Sequence, residues 1–246
     1  MKIIGIIPAR YGSTRLEGKP LKDICGKPMI QRVYEAAQQA QLLDEVYVAT
    51  DDQRIVAAVE QFGGNVRLTS PDHKTGTDRI AEVAAGLDVE IVVNLQGDEP
   101  LLNPAMIDEV IQPFVHEPTL PMSTLCVPIL EEEALHDPNV VKAVFDQRGY
   151  ALYFSRSLIP YPRKRDNFQA YEHLVLYAYR KNFLMTYIAL PQSRLQINES
   201  LEQLRVLEAG YQLKIVVSAH PYDGVSVDTQ EDLERVRQII KARGEG

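Results

Sequence analysis

A three-layer α/β fold on a mostly parallel, doubly wound sheet of Rossmann-like type, with a small antiparallel excursion, is what this 246-residue sequence predicts. Three observations carry the prediction. Short β-branched runs, Ile3-Ile4-Gly5-Ile6-Ile7, Val46-Tyr47-Val48-Ala49 and Ile91-Val92-Val93-Asn94-Leu95, are almost continuously apolar, the mark of strands buried on both faces. Stretches with apolar residues at helical spacing lie between them, so strand and helix alternate. The first and last of these runs each give way to a polar loop punctuated by Gly and Pro, at the strand end where open α/β sheets bind ligands.

Taken in order, the first strand feeds a loop over 8–21, and residues 28–40 set Ile30, Val33, Tyr34 and Ala37 on one helical face. Residues 45–50 form the next strand. Asp51-Asp52 caps a helix carrying Ile55, Val56, Val59 and Phe62, which stops at Gly63-Gly64 before a short strand near Val66-Arg67-Leu68. Residues 77–87 have helical spacing, and 90–95 form a strand ending in Gln96-Gly97-Asp98-Glu99-Pro100. Beyond this the alternation weakens. Residues 121–129, 140–145 and 150–154 predict strands, the last two joined by a turn at Asp146-Gln147-Arg148-Gly149. Residues 157–170, rich in Pro, Arg and Tyr, predict a loop, and 174–179 a strand. A helix over 199–209 closes at Gly210, and Thr229 caps a terminal helix with Leu233, Val236, Ile239 and Ile240 inward. With no linker, repeat or low-complexity tract, the chain reads as one domain over 1–246, with an excursion at about 121–190.

Composition narrows the function classes. An apolar content of 45% suffices for a packed core without staples, and a net charge of −8 argues against nucleic acid as a partner. Cys25 and Cys126 stand alone, which suggests neither a zinc site nor a disulfide. No stretch has membrane-spanning length and the N-terminus does not read as a signal peptide, so a cytoplasmic protein is expected.

The chemistry concentrates in a few loops. Arg10, Arg15 and Lys19, with glycines that let backbone N–H groups approach, are the parts of a polyphosphate cradle. It is not a Walker loop: five residues separate Gly12 from Gly18, and Pro20 stands where Ser or Thr should follow Lys19. Asp98, just after an apolar strand, is placed to seat Mg²⁺ with phosphate oxygens. Asp228 offers a second carboxylate, or else caps the last helix, which Thr229 can also do. The loop His73-Lys74-Thr75-Gly76-Thr77-Asp78-Arg79 reads equally as a base or phosphate site or as a helix start capped by Thr77 or Asp78. By themselves, Arg156 and Arg163 read as surface arginines or anion ligands, His173 as a structural histidine or a ligand, and Glu202-Gln203 as a solvated helix face.

Together these segments resemble the CMP-sugar-acid synthetases across essentially the whole chain. The likeness rests on Ile7-Pro8-Ala9-Arg10-Tyr11-Gly12-Ser13-Thr14-Arg15-Leu16, Gly18-Lys19-Pro20-Leu21, Val48-Ala49-Thr50-Asp51-Asp52, Gly76-Thr77-Asp78-Arg79 and Asn94-Leu95-Gln96-Gly97-Asp98-Glu99-Pro100. It extends through Ala151-Leu152-Tyr153-Phe154-Ser155-Arg156, Tyr177-Ala178-Tyr179-Arg180, Leu201-Glu202-Gln203-Leu204-Arg205 and Val227-Asp228-Thr229. The resemblance implies a nucleotidyltransferase that joins CTP to a sugar acid, 3-deoxy-D-manno-octulosonate (Kdo), for lipopolysaccharide synthesis, releasing pyrophosphate. It implies that Arg10, Ser13, Arg15 and Lys19 hold the triphosphate, that Thr75, Gly76, Thr77, Arg79 and Gln96 hold cytidine, and that Asp98 and Asp228 bind Mg²⁺. Lys19, Arg15 and Asp98 then form the catalytic set, while Arg156, Arg163, His173, Tyr177, Glu202 and Gln203 form the sugar-acid pocket of an expected homodimer. Two positions depart from the family. Glu17 replaces a usual Pro and is expected to face solvent, and Val175 replaces a common Gly, which would narrow the pocket for a related acid such as 8-amino-Kdo or a nonulosonate. A non-catalytic CTP-binding module is the rival from another class. A glycosyltransferase would call for an Asp-x-Asp motif, which Asp98-Glu99-Pro100 lacks.

Overall fold

A computed structural model describes residues 1–12, 15–166, 168–222 and 225–244. The chain divides into two compact units, residues 1–108 with 222–246, and residues 109–221. The excursion at 121–190 falls inside the second.

The first unit opens with β1 (Ile3–Ala9), a two-strand ribbon β2 (Asp23–Ile24) and β3 (Lys27–Pro28), and α1 (Met29–Ala37). There follow β4 (Glu45–Thr50), α2 (Gln53–Gln61), β5 (Asn65–Leu68), α3 (Gly76–Ala85) and β6 (Ile91–Asn94). Within the unit β6, β1, β4 and β5 lie side by side, every pair parallel. Ile4, Ile6, Ile7, Val48, Ile91, Val92 and Val93 are fully buried, so both faces of the central strands are covered, as their unbroken apolar runs require. Ile30 and Val33 of α1, Ile55 and Val59 of α2 and Ile80 and Ala84 of α3 supply buried faces at helical spacing. Each large aliphatic side chain so buried contributes about 1.5–3 kcal/mol.

The chain continues through α4 (Pro104–Ile111) into the second unit, with α5 (Pro113–His116), β7 (Met122–Pro128), α6 (Glu132–His136), β8 (Lys142–Phe145) and β9 (Ala151–Ser155). Next come β10 (Tyr171–Arg180), α7 (Lys181–Ala189), α8 (Arg194–Glu199), α9 (Leu204–Glu208) and β11 (Lys214–Val217). Here β10 runs antiparallel to β7 and β8, and β8 to β9, while β11 is parallel to β7. The expected hairpin between β8 and β9 is present, with Gly149 at φ +80° in its turn. The expected single helix over 199–209 is instead two, broken at Ser200, whose φ of +53° no helix accommodates. Gly210, at φ +81°, closes the second.

The last helix, α10 (Gln230–Ala242), returns to the first unit, where Val227, Leu233, Val236 and Ile240 pack with Leu16, Ile24 and Met29. This apolar cluster fixes the loop after β1 from beneath. Among the described residues no helix is long and apolar enough to cross a membrane.

Candidate active site

The loop following β1 leaves the sheet beside the end of β6, because the two strands are parallel neighbours and Leu95 N–H still donates to the Ile6 carbonyl at 3.0 Å. A Cβ at Gly97 would stand 3.1 Å from the Pro8 carbonyl oxygen, so the close approach of the two loops favours glycine. The loop is braced at Tyr11. The Arg54 guanidinium lies 3.3 Å from the Tyr11 ring centroid and is itself held by Asp52 through bonds of 2.9 and 2.6 Å. These bonds hold the Asp52 carboxyl below its usual range, the Arg54 side chain having the largest lowering effect. Gly18, at φ +66°, packs against the same ring.

This frame places Lys19 between two carboxylates. Its ammonium donates to Asp98 Oδ2 at 2.7 Å and Asp228 Oδ1 at 3.2 Å, and Arg15 pairs with Asp228 Oδ2 at 3.1 Å. Val227 N–H donates to the Asp98 carbonyl at 2.9 Å, tying the two segments together by their backbones. The two possible roles of Asp228 are separated here. Thr229 and Asp232 form the capping box of α10, with the Asp228 N–H also donating to Asp232, so the Asp228 carboxylate is free for Lys19 and Arg15. Ser13 lies outside the described residues. Glu17 is exposed, as expected.

Two cavities open here. One, of about 260 Å³, is lined by Arg10, Arg15, Lys19, Gln96, Gly97, Asp98 and Asp228, among others. The other, of about 200 Å³, shares Pro8, Ala9, Arg10 and Gln96 with it and is completed by residues 73–76 and Arg79. The cap of α3 is Thr75, not Thr77 or Asp78: Thr75 Oγ1 accepts from Asp78 N–H, and Asp78 returns the bond, each at 3.1 Å. Thr77 is buried in the first turn. Arg79 reaches the cavity wall, but its guanidinium is engaged with Asp51 at 3.1 Å and with Thr69. Gln96 Nε2 donates to Asn94 Oδ1 at 3.2 Å, which leaves the Gln96 amide oxygen to accept from another group.

A second constellation lies within the second unit. His173 is 5% exposed, the third residue of β10, next to a register shift between Leu174 and Tyr177. Thr124 Oγ1 lies 2.9 and 3.2 Å from the Leu176 and Leu174 carbonyls, to which it donates, so it accepts from His173 Nε2 at 3.0 Å. That leaves Nδ1 to accept from the Gln203 amide at 3.4 Å. Burial pushes the His173 pKa down to about 3, so the imidazole is a neutral hydrogen-bonding group. Phe154, His173, Tyr177, Tyr179 and Tyr187 form a ladder of rings with centroids 4.8–6.0 Å apart. Tyr187 OH donates to Glu202 at 3.3 Å, and the Arg205 guanidinium sits 3.8 Å from the Tyr187 centroid. Gln203 is thus buried against His173 and not on a solvated helix face.

Three predicted residues stand apart from this ladder. Arg156 turns its guanidinium to the carbonyls of Glu199, Pro138 and Ser200. Arg163 is exposed in the loop over 157–170, and Val175, 47% exposed at the bulge, lies outside the buried cluster. Reading the sequence missed Thr124, Tyr187 and Lys142. Only Lys142 left a signal, as a lone charge in the apolar run Val140-Val141-Lys142-Ala143-Val144-Phe145.

The fold agrees with that of known proteins this chain resembles. The model of the cytidylyltransferase family matches residues 4–215. The chain is 52% identical to the 3-deoxy-manno-octulosonate cytidylyltransferase of Geotalea uraniireducens (strain Rf4) and 51% identical to that of Geobacter sulfurreducens, over 98% of this chain and 100% of each relative. The solved structure of a CMP:2-keto-3-deoxy-manno-octonic acid synthetase complexed with CTP matches with a TM-score of 0.94 at 46% identity, covering 99% of this chain and 100% of that one. A 4-diphosphocytidyl-2C-methyl-D-erythritol synthase from Anaerococcus prevotii, 15% identical with a TM-score of 0.64 over 98% of this chain and 96% of its own, shares the fold. This chain belongs to the cytidylyltransferase family, among its 3-deoxy-manno-octulosonate cytidylyltransferases.

Proposed function

We propose that this chain joins CTP to Kdo, forming CMP-Kdo and pyrophosphate. The observation that carries the reading is the carboxylate pair Asp98 and Asp228, gathered against the cationic loop at the ligand edge of a parallel sheet. Arg10, Ser13, Arg15 and Lys19 hold the triphosphate. Thr75, Gly76, Thr77, Arg79 and Gln96 hold the cytidine, and the Gln96 oxygen suits the amino group that distinguishes cytosine from uracil. The anomeric hydroxyl of Kdo attacks the α-phosphorus and gives up its proton to water, forming the new P–O bond as the bond to the bridging oxygen breaks and pyrophosphate leaves with its electron pair. Arg15 and Lys19 balance the charge growing on the phosphate oxygens, and no protein nucleophile is required.

Asp98 and Asp228 are the residues that would hold Mg²⁺. A hard cation held by two carboxylates would complete its shell with phosphate oxygens and water. When bound, Mg²⁺ would supply charge neutralisation at the transferred and leaving phosphates. The acceptor side falls to Arg156, Arg163, His173, Tyr177, Glu202 and Gln203, with arginine for the carboxylate and the uncharged groups for hydroxyls. His173 serves there as a neutral hydrogen-bond partner and not as an acid or base.

The same reading includes a role in lipopolysaccharide synthesis and a cytoplasmic location, which the two free thiols suit. It also includes a homodimer formed through the second unit, where Leu130, Leu152 and Tyr161 are exposed. Pyrophosphate release from CTP and Mg²⁺, measured in parallel with Kdo, 8-amino-Kdo, N-acetylneuraminate and no acceptor, tests the reaction. Release with Kdo is expected. Preference for another acid would change the acceptor, and CTP binding without release would leave a nucleotide sensor.

A further inference from the structure

Lys142 is completely buried, yet charged groups are rarely carried into a sheet without a task. Its ammonium donates to three backbone carbonyls, those of Asp137 and Val140 at 2.7 Å and that of Arg156 at 3.2 Å, which uses all three of its N–H groups. A methionine would fill nearly the same volume without the cost of desolvating a charge, so packing alone does not call for lysine. What the ammonium adds is a tie between the segment ahead of β8 and the end of β9.

Arg156 passes that tie on. Its Nε donates to the Glu199 carbonyl at 2.7 Å and its Nη1 to the Pro138 carbonyl at 2.8 Å. The Glu199 carboxylate in turn accepts from Arg156 N–H at 3.0 Å and Ser155 Oγ at 2.7 Å. Next in the chain is Ser200, left-handed at φ +53°, a conformation that a serine keeps when its surroundings dictate it. Two and three residues on, Glu202 meets Tyr187 and Gln203 meets His173. A continuous run of hydrogen bonds therefore joins the buried ammonium to the turn that carries both groups.

We propose that Lys142 is a positioning residue for the acceptor, fixing through Arg156 and Glu199 the turn that presents Glu202 and Gln203. The inference rests on the reading above that these two groups touch the sugar acid. Steady-state kinetics and thermal melting of Lys142→Met test it, with Glu199→Gln as a milder break in the same run and Gln203→Ala as the reference. The KM for the sugar acid rises about tenfold in Lys142→Met and about threefold in Glu199→Gln, while the KM for CTP stays within about twofold. Combining Lys142→Met with Gln203→Ala adds little to Gln203→Ala alone, because the two act through one contact. If Gln203→Ala raises the sugar-acid KM while neither Lys142→Met nor Glu199→Gln does, the inference is wrong and the pocket reading stands. An activity loss that only follows the folded fraction, with both KM values unchanged, likewise reduces Lys142 to scaffold. If Gln203→Ala leaves the sugar-acid KM unchanged, the pocket reading falls and takes the inference with it. Should Lys142→Met not fold, Glu199→Gln decides the matter alone.

Discussion

The two units carry their chemistry in opposite ways. In the first, the charged groups stand in loops at the ends of parallel strands, partly open to solvent: Lys19 and Asp98 are 17% and 26% exposed. In the second, the polar groups are sunk into the sheet and into a break between helices, with His173, Gln203 and Lys142 all buried. The first arrangement follows from topology, because parallel strands deliver successive loops to one edge. The second depends on partners far apart in sequence, each buried group being tolerated only because others satisfy it. The first unit should therefore lose function through charge and the second through geometry.

Removing a carboxylate from the open site tests this contrast most severely. Asp98→Asn should lower kcat by about a thousandfold while CTP affinity, measured by calorimetry, stays within about tenfold, because the cationic loop remains. Unchanged turnover would remove Asp98 from the metal site.

The buried site should respond to pH in stability. The folded-state pKa of His173 lies far below that of an unfolded histidine, so the unfolded chain takes up a proton first as pH falls. Stability from this group is complete above about pH 6.5 and is lost progressively towards pH 3. Between pH 6.5 and 5 the wild-type chain should lose about 2 kcal/mol more than His173→Gln does, measured by urea unfolding. Equal losses would mean that the imidazole is protonated in the folded protein.

Smaller effects sharpen the picture of the open loop. Arg54→Ala removes the guanidinium from the Tyr11 ring and should raise the KM for CTP about threefold with kcat unchanged. Glu17→Ala should change stability by less than about 0.5 kcal/mol and leave the KM for CTP unaltered, since the side chain is exposed. A marked fall in that KM would instead place the carboxylate against the triphosphate.

What was legible in the sequence follows the same division. The strands of the first unit announced themselves by unbroken β-branched runs, and Arg10, Arg15, Lys19 and Asp98 by lying just after them. The residues read as nucleotide ligands do line the two cavities in part, although Arg79 is engaged by Asp51. In the second unit the residues alone left His173 undecided and made Gln203 part of a solvated helix face, and only the family likeness pointed to a pocket. The reason is physical. Gln203 is buried where the helix breaks at Ser200, and the Arg156 and Glu199 bonds beside that break have no local periodicity to betray them. Lys142 was missed although it stands as an odd charge in an apolar strand, and the three carbonyls that explain it are known only from the fold.

The meeting of Lys19 with Asp228 spans 209 positions of sequence, and the backbone bond from Val227 to the Asp98 carbonyl closes the same circle. Loops of that length form late, after local contacts have organised the chain. The loop after β1 therefore waits for a carboxylate that lies far along the chain from it. A chain cut short before residue 225 could still assemble the four parallel strands, but it would lack Asp228 and the helix that packs on Leu16. The open site therefore depends on a segment that the parallel strands beneath it do not need.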